Sequence, residues 1–579
     1  MGPYDLSLDP KRKEIRRLVL QPLSAGASIQ CVVEVVSLSD EPEFEALSYV
    51  WGDASIKSNI ILEGAAFPVT KNLATALFYL RFDDNPRRLW VDALCINQGN
   101  TKERNEQVAI MGEIYAHANP VLIWLGEASE GSNRRFNLMP TIADGTEVAD
   151  EILENMFTFY MELVEREWFN RLWTVQELVL ADNDPMIGCG IMWTKWSILF
   201  GAWHRVAEYV LGKIGMVSKC RDEDERGKDG SSDVQRPVSI KIDVLNQLHE
   251  KVRRDGGEDL RKLLFITKTS KATEPRDIIY ALLGMLPKDD RDCFTIDYDL
   301  PLEKVFAEAI KNILQKGTGL LFLSGMEMAG PLSTSPSWVP KFGAKFLFRP
   351  TLFHPPGIGA SGVGSDCING SIDQDLNVMH VRGLPIDEVV DRVLFGDLEE
   401  CLGKLPQVEE MRGRANQLAA IHSSHRPYLN KLKAKEALWR TLIANKAYSG
   451  RARDVAPDAY REMYNMLLNE QKSGQVSDKE ITRDYRLRLL NHLPSSCFFI
   501  TATGFYGIGQ SMVEKGDQLS IWFGSPVPFV LRPRNQYAEQ GKQVHSVVGV
   551  AYVAGIMDGE MVDEVYCEDL EDDVEFVVR

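Results

Sequence analysis

The chain has 579 residues, 44% of them hydrophobic, and a net charge of −18 from 65 basic and 83 acidic side chains. This length exceeds one ordinary core and indicates about two to four domains. The acidic balance argues against nucleic acid or an anionic membrane as the main partner, and no apolar run is long enough to predict a membrane span.

The first 43 residues contain two β-rich runs, at 15–20 and 29–37, separated by a Ser/Gly turn. This pattern predicts a β-hairpin, which we expect to pack on the domain that follows.

Three short, almost entirely apolar runs come next, with amphipathic segments between them. One of these segments, 102–118, has the apolar spacing of a single helix. Buried strands that alternate with amphipathic helices indicate a parallel sheet covered on both faces. We assign this α/β domain to residues 44–190, and its predicted strands lie near 46–50, 88–92 and 121–125.

The predicted secondary structure of the rest of the chain changes twice. Residues 191–330 are predicted to be mostly helical, and residues 331–490 to be loop-rich and helical. From 491 to 579, short β-rich runs alternate with glycine turns, which predicts a small β-barrel-like module with an acidic tail at 560–575. The predicted fold class is therefore α/β, with a mostly helical middle region and a small C-terminal β module.

The stretch 171–181 is predicted to be a short helix with Asn170 as its N-cap. Trp173 and Glu177 are four residues apart and therefore share one face, where the helix N-terminus would favour an ionised carboxylate. In a structural alternative, Thr174-x-x-Glu177 forms a capping box and the glutamate only binds a backbone N–H. Both interpretations remain open.

Polar residues follow the predicted strands at the point where each strand ends. Trp51, Gly52 and Asp53 follow the first strand, Asp92 ends the second, and Glu177 lies on the helix after the third. Ligands of open parallel sheets bind at the carboxyl ends of the strands. We therefore expect these side chains to lie at one rim of the sheet.

Each of these candidates also has a structural explanation. Asp92 could cap the following turn, Trp51 could be a core residue, and Gly52 could only permit a tight turn. Arg104 could be a solvated helix charge or the ion-pair partner of an acid.

The nine cysteines are scattered, odd in number and contain no Cys-x-x-Cys pair, which is typical of reduced thiols in an intracellular protein. The N-terminus lacks the apolar segment of a secretory signal, so we expect a cytoplasmic location. The nine histidines show no metal-ligand spacing. The sequence therefore predicts no metal site and no bound cofactor.

Three segments resemble, in order and spacing, the signature blocks of the fungal heterokaryon incompatibility (HET) domain. They are Ala46-Leu-Ser-Tyr-Val-Trp-Gly-Asp53, Leu89-Trp-Val-Asp-Ala-Leu-Cys-Ile-Asn-Gln98 with Glu103, Arg104 and Gln107, and Arg171-Leu-Trp-Thr-Val-Gln-Glu-Leu178. The resemblance implies a role in nonself recognition between fused hyphae, with programmed cell death as the output. It also implies distant kinship with TIR domains, which have a flavodoxin-like sheet.

Some TIR domains cleave NAD+ with a glutamate in a W-C-L-x-E-L motif. Trp173-Thr-Val-Gln-Glu-Leu178 is similar, with Thr174 and Val175 in place of the Cys and Leu. The resemblance implies Glu177 as the catalytic residue and NAD+ as a substrate rather than a cofactor. The residues expected to contact the substrate are Trp51, Gly52, Asp53, Asp92, Arg104 and Trp173.

A second hypothesis belongs to a different class, because many TIR domains are scaffolds. In this hypothesis the HET domain has no enzymatic activity and self-associates or docks another incompatibility protein. Both hypotheses predict a fungal protein of nonself recognition, and they differ in whether the carboxylate of Glu177 is needed.

Overall fold

The computed structural model describes residues 2–213, 240–317, 319–331, 335–341, 370–422, 434–445, 455–474, 479–539, 542–557, 561 and 574–579. Most of the predicted acidic tail lies outside these residues. The described chain forms two compact units, one up to Leu300 and the other from Pro301 onward.

The first unit contains nine strands and twelve α-helices among its described residues. The strands are β1 (Glu14–Leu20), β2 (Gln30–Ser37), β3 (Glu45–Tyr49), β4 (Lys57–Leu62), β5 (Ala65–Thr70), β6 (Arg87–Trp90), β7 (Val121–Trp124), β8 (Met186–Cys189) and β9 (Met192–Lys195). The helices are α1 (Lys71–Leu80), α2 (Asp92–Cys95), α3 (Thr101–Ala109), α4 (Met111–His117), α5 (Ser132–Ala143), α6 (Asp150–Glu165), α7 (Trp173–Val179), α8 (Trp196–Lys213), α9 (Ile240–Asp255), α10 (Leu260–Ile266), α11 (Asp277–Leu283) and α12 (Lys288–Arg291).

These strands form one mixed sheet in the order β5-β4-β2-β1-β6-β3-β7-β8-β9. The central strands β6, β3, β7 and β8 run parallel to one another. The three predicted parallel strands are therefore confirmed, and β8 is a fourth. Numbered along the chain, the parallel strands lie in the order 2-1-3-4, as in flavodoxin-like folds, with the order reversing between β3 and β7.

Local sequence explains the helices that cover this sheet. The Thr70 hydroxyl accepts a hydrogen bond from the backbone N–H of Leu73 at 3.3 Å, so Thr70 caps α1. Leu73, Leu77 and Leu80 on one face of α1 are at most 1% exposed. This burial matches their spacing of three and four residues.

Two parts of the unit differ from the sequence interpretation. The hairpin of β1 and β2 is part of the sheet, because β1 pairs with β6 and β2 pairs with β4. The segment 102–118 is divided at Ile110 (φ −103°, ψ 3°) into α3 and α4 rather than forming one helix. The backbone of Ile110 is not α-helical, so the helix is interrupted there.

The second unit contains seven α-helices and eight strands among its described residues. The helices are α13 (Leu302–Gln315), α14 (Gly319–Ser324), α15 (Leu398–Gly403), α16 (Leu405–His422), α17 (Ala434–Thr441), α18 (Ala459–Ser473) and α19 (Arg483–His492). The strands are β10 (Gly370–Ile372), β11 (Met379–Leu394), β12 (Ser496–Thr501), β13 (Tyr506–Gln510), β14 (Gln518–Trp522), β15 (Phe529–Glu539), β16 (Lys542–Val553) and β17 (Val574–Val578).

Six antiparallel strands of this unit close into a ring, β11-β12-β13-β16-β15-β14, which returns to β11. The closure depends on the length of β11, which pairs with β14 through residues 383–388 and with β12 through residues 389–394. The predicted C-terminal β module is therefore confirmed. Its interior is apolar and includes Val389, Phe499, Leu519 and Val530.

The strand β11 lies in the region 331–490, for which the sequence predicted loops and helices. Helices α15 to α19 follow it, so they form an insertion between the first two strands of the ring. A second apolar cluster joins these helices to β12 through residues such as Trp439, Tyr485, Phe498 and Ile500. The ring partners of β11, which are β12 and β14, lie more than 100 residues further along the chain, so the local pattern did not indicate its place in the ring.

The last strand, β17, fills a gap at one end of the ring. It pairs with residues 379–383 of β11 and with Val544 and His545 of β16. The buried hydroxyl of Ser337 holds this strand by donating to the carbonyl of Arg579 at 2.5 Å and accepting from the N–H of Val547 at 2.8 Å.

Across the described residues of both units, no helix is long and apolar enough to cross a membrane.

Candidate functional site

The helix that carries Glu177 is shorter than the sequence predicted. α7 begins at Trp173, and Asn170 instead ends a preceding 3-10 turn, Glu167–Asn170. The predicted N-cap role of Asn170 is therefore wrong. The hydroxyl of Thr174 donates to the carbonyl of Arg171 at 2.8 Å, which ties the chain before α7 to its first turn.

The carboxylate of Glu177 lies inside the domain, where 3% of the residue is exposed. It accepts a hydrogen bond from the Ser48 hydroxyl of the central strand β3. The Trp168 indole Nε1 donates to Ser48 Oγ at 2.7 Å and so orients that hydroxyl toward Glu177. Glu177 therefore contacts the sheet and does not form the capping box with Thr174, whose hydroxyl binds the carbonyls of Trp168 and Arg171.

Burial raises the pKa of Glu177 to about 7, against an ordinary value of 4.5. The positive charge of Arg171 lowers this pKa, the negative charge of Asp92 raises it, and hydrogen bonds from Ser48 and Tyr115 lower it. The sequence had suggested that the helix N-terminus would keep this carboxylate ionised. Instead, desolvation is the largest effect, so the group can hold or release a proton near neutral pH.

Asp92 lies near Glu177 at the carboxyl end of β6. Its carboxylate accepts from the Trp51 indole Nε1 at 2.7 Å and from the N–H of Ala93 at 2.7 Å. Burial also raises the pKa of Asp92, while the charge of Arg171 lowers it. Asp92 thus both caps its own turn and belongs to the group of Glu177 and Arg171.

Arg171 is the cation shared by the two carboxylates. Its side chain donates to the carbonyl of Tyr49 at the end of β3, so the guanidinium lies at the rim of the sheet. Within the described chain, the Tyr49 hydroxyl is buried and has no hydrogen-bond partner. The charges of Asp92, Arg171 and Glu177 all act on the pKa of Tyr49, which burial raises well above its usual value.

In the loop after β3, Gly52 and Asp53 make local contacts. Gly52 has φ +75°, and a Cβ there would lie 3.0 Å from the Cβ of Asn72, so the turn requires glycine. Asp53 is exposed, and its carboxylate accepts from the N–H and hydroxyl of Ser55 at 2.8 and 2.7 Å. These bonds lower the pKa of Asp53. Asp53 therefore binds its own turn and does not join Glu177.

Two other predicted residues form a second polar cluster. The Trp173 indole Nε1 donates to Asp277 at 2.9 Å, and the Tyr298 hydroxyl donates to the same carboxylate at 2.7 Å. The guanidinium of Arg104 lies 3.9 Å from the centroid of the Tyr298 ring. These contacts join Arg104 and Trp173 to the segment Glu274-Pro-Arg-Asp277, away from the hydrogen bonds of Glu177.

The structure thus brings together Glu177, Asp92 and Trp51, and it adds residues that sequence reasoning did not select. Ser48 and Tyr49 were part of a recognised motif but were treated as strand residues. A serine inside an otherwise apolar buried strand needs a hydrogen-bond partner. The position of Ser48 in the sequence therefore indicates a buried polar contact at this strand. The role of Arg171 depends on three segments that are distant in sequence, and no local pattern indicates it.

Comparison with known proteins agrees with this architecture. Residues 44–177 match the family model described as heterokaryon incompatibility protein (HET), and residues 387–571 match the Het-6 beta-barrel domain. The chain is also 25% identical to "Heterokaryon incompatibility protein 6, OR allele" of Neurospora crassa, in an alignment of 692 residues that covers 98% of this chain and 97% of the relative. No solved structure has significant similarity to the chain. The parallel sheet with its carboxylate pair therefore lies in the part of the chain that is similar to the HET family, and the closed ring of strands lies largely in the part that is similar to the Het-6 beta-barrel domain.

Proposed function

We propose that this protein acts in fungal nonself recognition and programmed cell death, and that its HET domain cleaves NAD+ with Glu177 as the catalytic residue. The main supporting observation is that Glu177, Asp92 and Arg171 act on one another at the carboxyl ends of β3 and β6. This is the edge of a parallel sheet where ligands bind, beside the reversal of strand order.

The chemistry of the pair suits cleavage of the bond between nicotinamide and ribose. Departure of neutral nicotinamide leaves an oxocarbenium-like ribose, which an ionised carboxylate stabilises. Glu177 in its ionised form supplies that charge. Water then attacks the ribose carbon and loses a proton, giving nicotinamide, ADP-ribose and H+. Because its pKa is about 7, Glu177 can accept this proton at neutral pH.

The described conformation would be the resting state of such an enzyme. Glu177 is only 3% exposed, whereas Trp51, which binds Asp92, is 36% exposed. We expect the substrate to enter when the Trp51–Asp92 hydrogen bond opens. The indole of Trp51 would then be free to contact a ring of the substrate, as the resemblance to TIR domains implies.

A non-enzymatic scaffold is the second candidate function, and the burial of Glu177 favours it. In this function, the carboxylate of Glu177 is hydrogen-bonded to Ser48 and hidden from solvent because it holds α7 against β3. In this case the HET domain would self-associate or dock another incompatibility protein, and NAD+ would play no part.

Glu177→Gln distinguishes the two functions, because the amide keeps the size of the side chain and removes its charge. We expect wild-type protein to release nicotinamide from NAD+, measured by chromatography, and the variant to be slower by about 100- to 1,000-fold. The same variant is expected to lose cell killing when overexpressed in the fungus. Glu162→Gln is the matched control, because Glu162 is an exposed glutamate on α6.

Killing in cells is the decisive readout, since isolated protein can remain in its resting state. A Glu177→Gln variant that unfolds at the same temperature as wild type, still kills and leaves cellular NAD+ unchanged would contradict the enzymatic proposal and support the scaffold.

A further inference from the structure

A concave site lies at the C-terminal end of α7, and the hydrogen-bond partner of Glu177, Ser48, is not part of it. It is a cleft of about 280 Å³ in the first unit, between the end of α7, the end of α9 and the start of α12.

Three cations line this cleft: Arg253 from the last turn of α9, and Lys288 and Arg291 from α12. Arg253 and Lys288 are exposed and Arg291 is half-buried. Throughout the part of the chain that the structure describes, their charged groups have no ion-pair or hydrogen-bond partner. In a chain with a net charge of −18, three unpaired cations around one cleft leave an unbalanced local positive charge.

The lining also includes one acid and an apolar surface. Asp182 carries the single negative charge among the lining residues, so the lining has a net charge of +2. Leu180, Val252 and Leu286 contribute the apolar part. The flat face of an aromatic ring fits this apolar part, because it can be buried there without losing hydrogen bonds to water.

We propose that this cleft binds a nucleoside phosphate with about two negative charges. The phosphate would contact Arg253, Lys288 and Arg291, since guanidinium and ammonium groups bind phosphate oxygens through charge-assisted hydrogen bonds. The base would lie against the apolar surface at Leu180. This site does not use the residues proposed to act at Glu177, because neither Glu177 nor its partners Ser48, Asp92, Tyr115 and Arg171 line the cleft.

Calorimetric titration of the full chain with adenosine monophosphate tests the proposal, with adenosine and inorganic phosphate as separate probes. We expect the nucleotide to bind more tightly than either probe, and Arg253→Gln or Arg291→Gln to weaken its binding by about tenfold or more. Arg254→Gln is the matched control, because Arg254 lies beside Arg253 but pairs with Asp255 at 2.8 Å. Thermal unfolding of each variant verifies its folding.

Loss of nucleotide affinity in the Arg253 and Arg291 variants but not in the Arg254 variant would support the site. Equal affinity in all three variants would place the nucleotide elsewhere, including the Glu177 site, and would overturn the proposal. No nucleotide binding, or binding no tighter than that of inorganic phosphate, would also overturn it.

Discussion

The protonation of Glu177 should be visible in the stability of the protein. Burial raises the pKa of this residue from 4.5 to about 7. Between these two values the folded chain keeps a proton that the unfolded chain has released. The free energy of unfolding therefore falls as pH rises through this window, and the loss is complete above pH 7. A shift of about 2.5 pH units corresponds to about 3 kcal/mol.

Glu177→Gln removes this titration, since an amide stays neutral at every pH in the range. The difference in stability between variant and wild type should therefore move in favour of the variant by about 3 kcal/mol between pH 5 and pH 8. Any change in hydrogen bonding to Ser48 adds a constant to this difference in stability, and that constant does not depend on pH. For a domain of this size, 3 kcal/mol corresponds to about 5–10 °C in the midpoint of thermal unfolding.

The measurement is a set of thermal and urea unfolding curves for both proteins at pH 5, 6, 7 and 8, with Glu162→Gln as the control. Asp92 titrates in wild type and variant alike, so only Glu177 contributes to the difference. If the free energy of unfolding changes by the same amount from pH 5 to pH 8 in wild type and in Glu177→Gln, the pKa of Glu177 is not raised. That result would remove the basis for its role as a proton acceptor.

Two other contacts give predictions about stability. Arg16 is fully buried and binds Glu103 at 2.5 and 3.2 Å. Arg16→Met should therefore lower the free energy of unfolding by about 3–5 kcal/mol, because Glu103 keeps a charge without its partner. The double change Arg16→Met with Glu103→Leu should recover part of that loss in urea unfolding, and a further loss would contradict the reasoning. Ser337→Ala should cost about 1–3 kcal/mol because the buried N–H of Val547 loses the hydroxyl to which it donates, and amide exchange in β17 should accelerate because the bond from Ser337 to the carbonyl of Arg579 is lost. Unchanged exchange there would show that Ser337 does not hold the strand.

The central sheet could be predicted because each of its strands is a separate local signal. The runs at 46–50, 88–92 and 121–125 are short, apolar and bounded by turns, and parallel strands buried on both faces have this pattern. The strands at its edges were harder to assign. β1 and β2 form a hairpin with each other, and their sequence does not indicate that β1 also pairs with β6 or that β2 also pairs with β4.

The candidate site was predictable in part for the same reason. Two of the residues, Trp51 and Asp92, come at strand ends, and Glu177 lies on a short helix that follows the third predicted strand. Parallel strands bring such positions together. Asp53 follows the same rule but binds Ser55, because a side chain next to a turn has a nearer partner in its own backbone. The raised pKa of Glu177 comes from burial beneath Ser48 and Trp168, which is a property of packing and not of local sequence.

The closing strand of the barrel has a consequence for the newly made protein. Residues 574–578 of β17 leave the ribosome after all the strands that they join, so residues 379–383 of β11 lack this neighbour until translation has passed them. An open strand edge can pair with the edge of another chain. Nascent molecules are therefore open to aggregation during this interval, and a chain shortened before residue 574 would keep that exposed edge permanently.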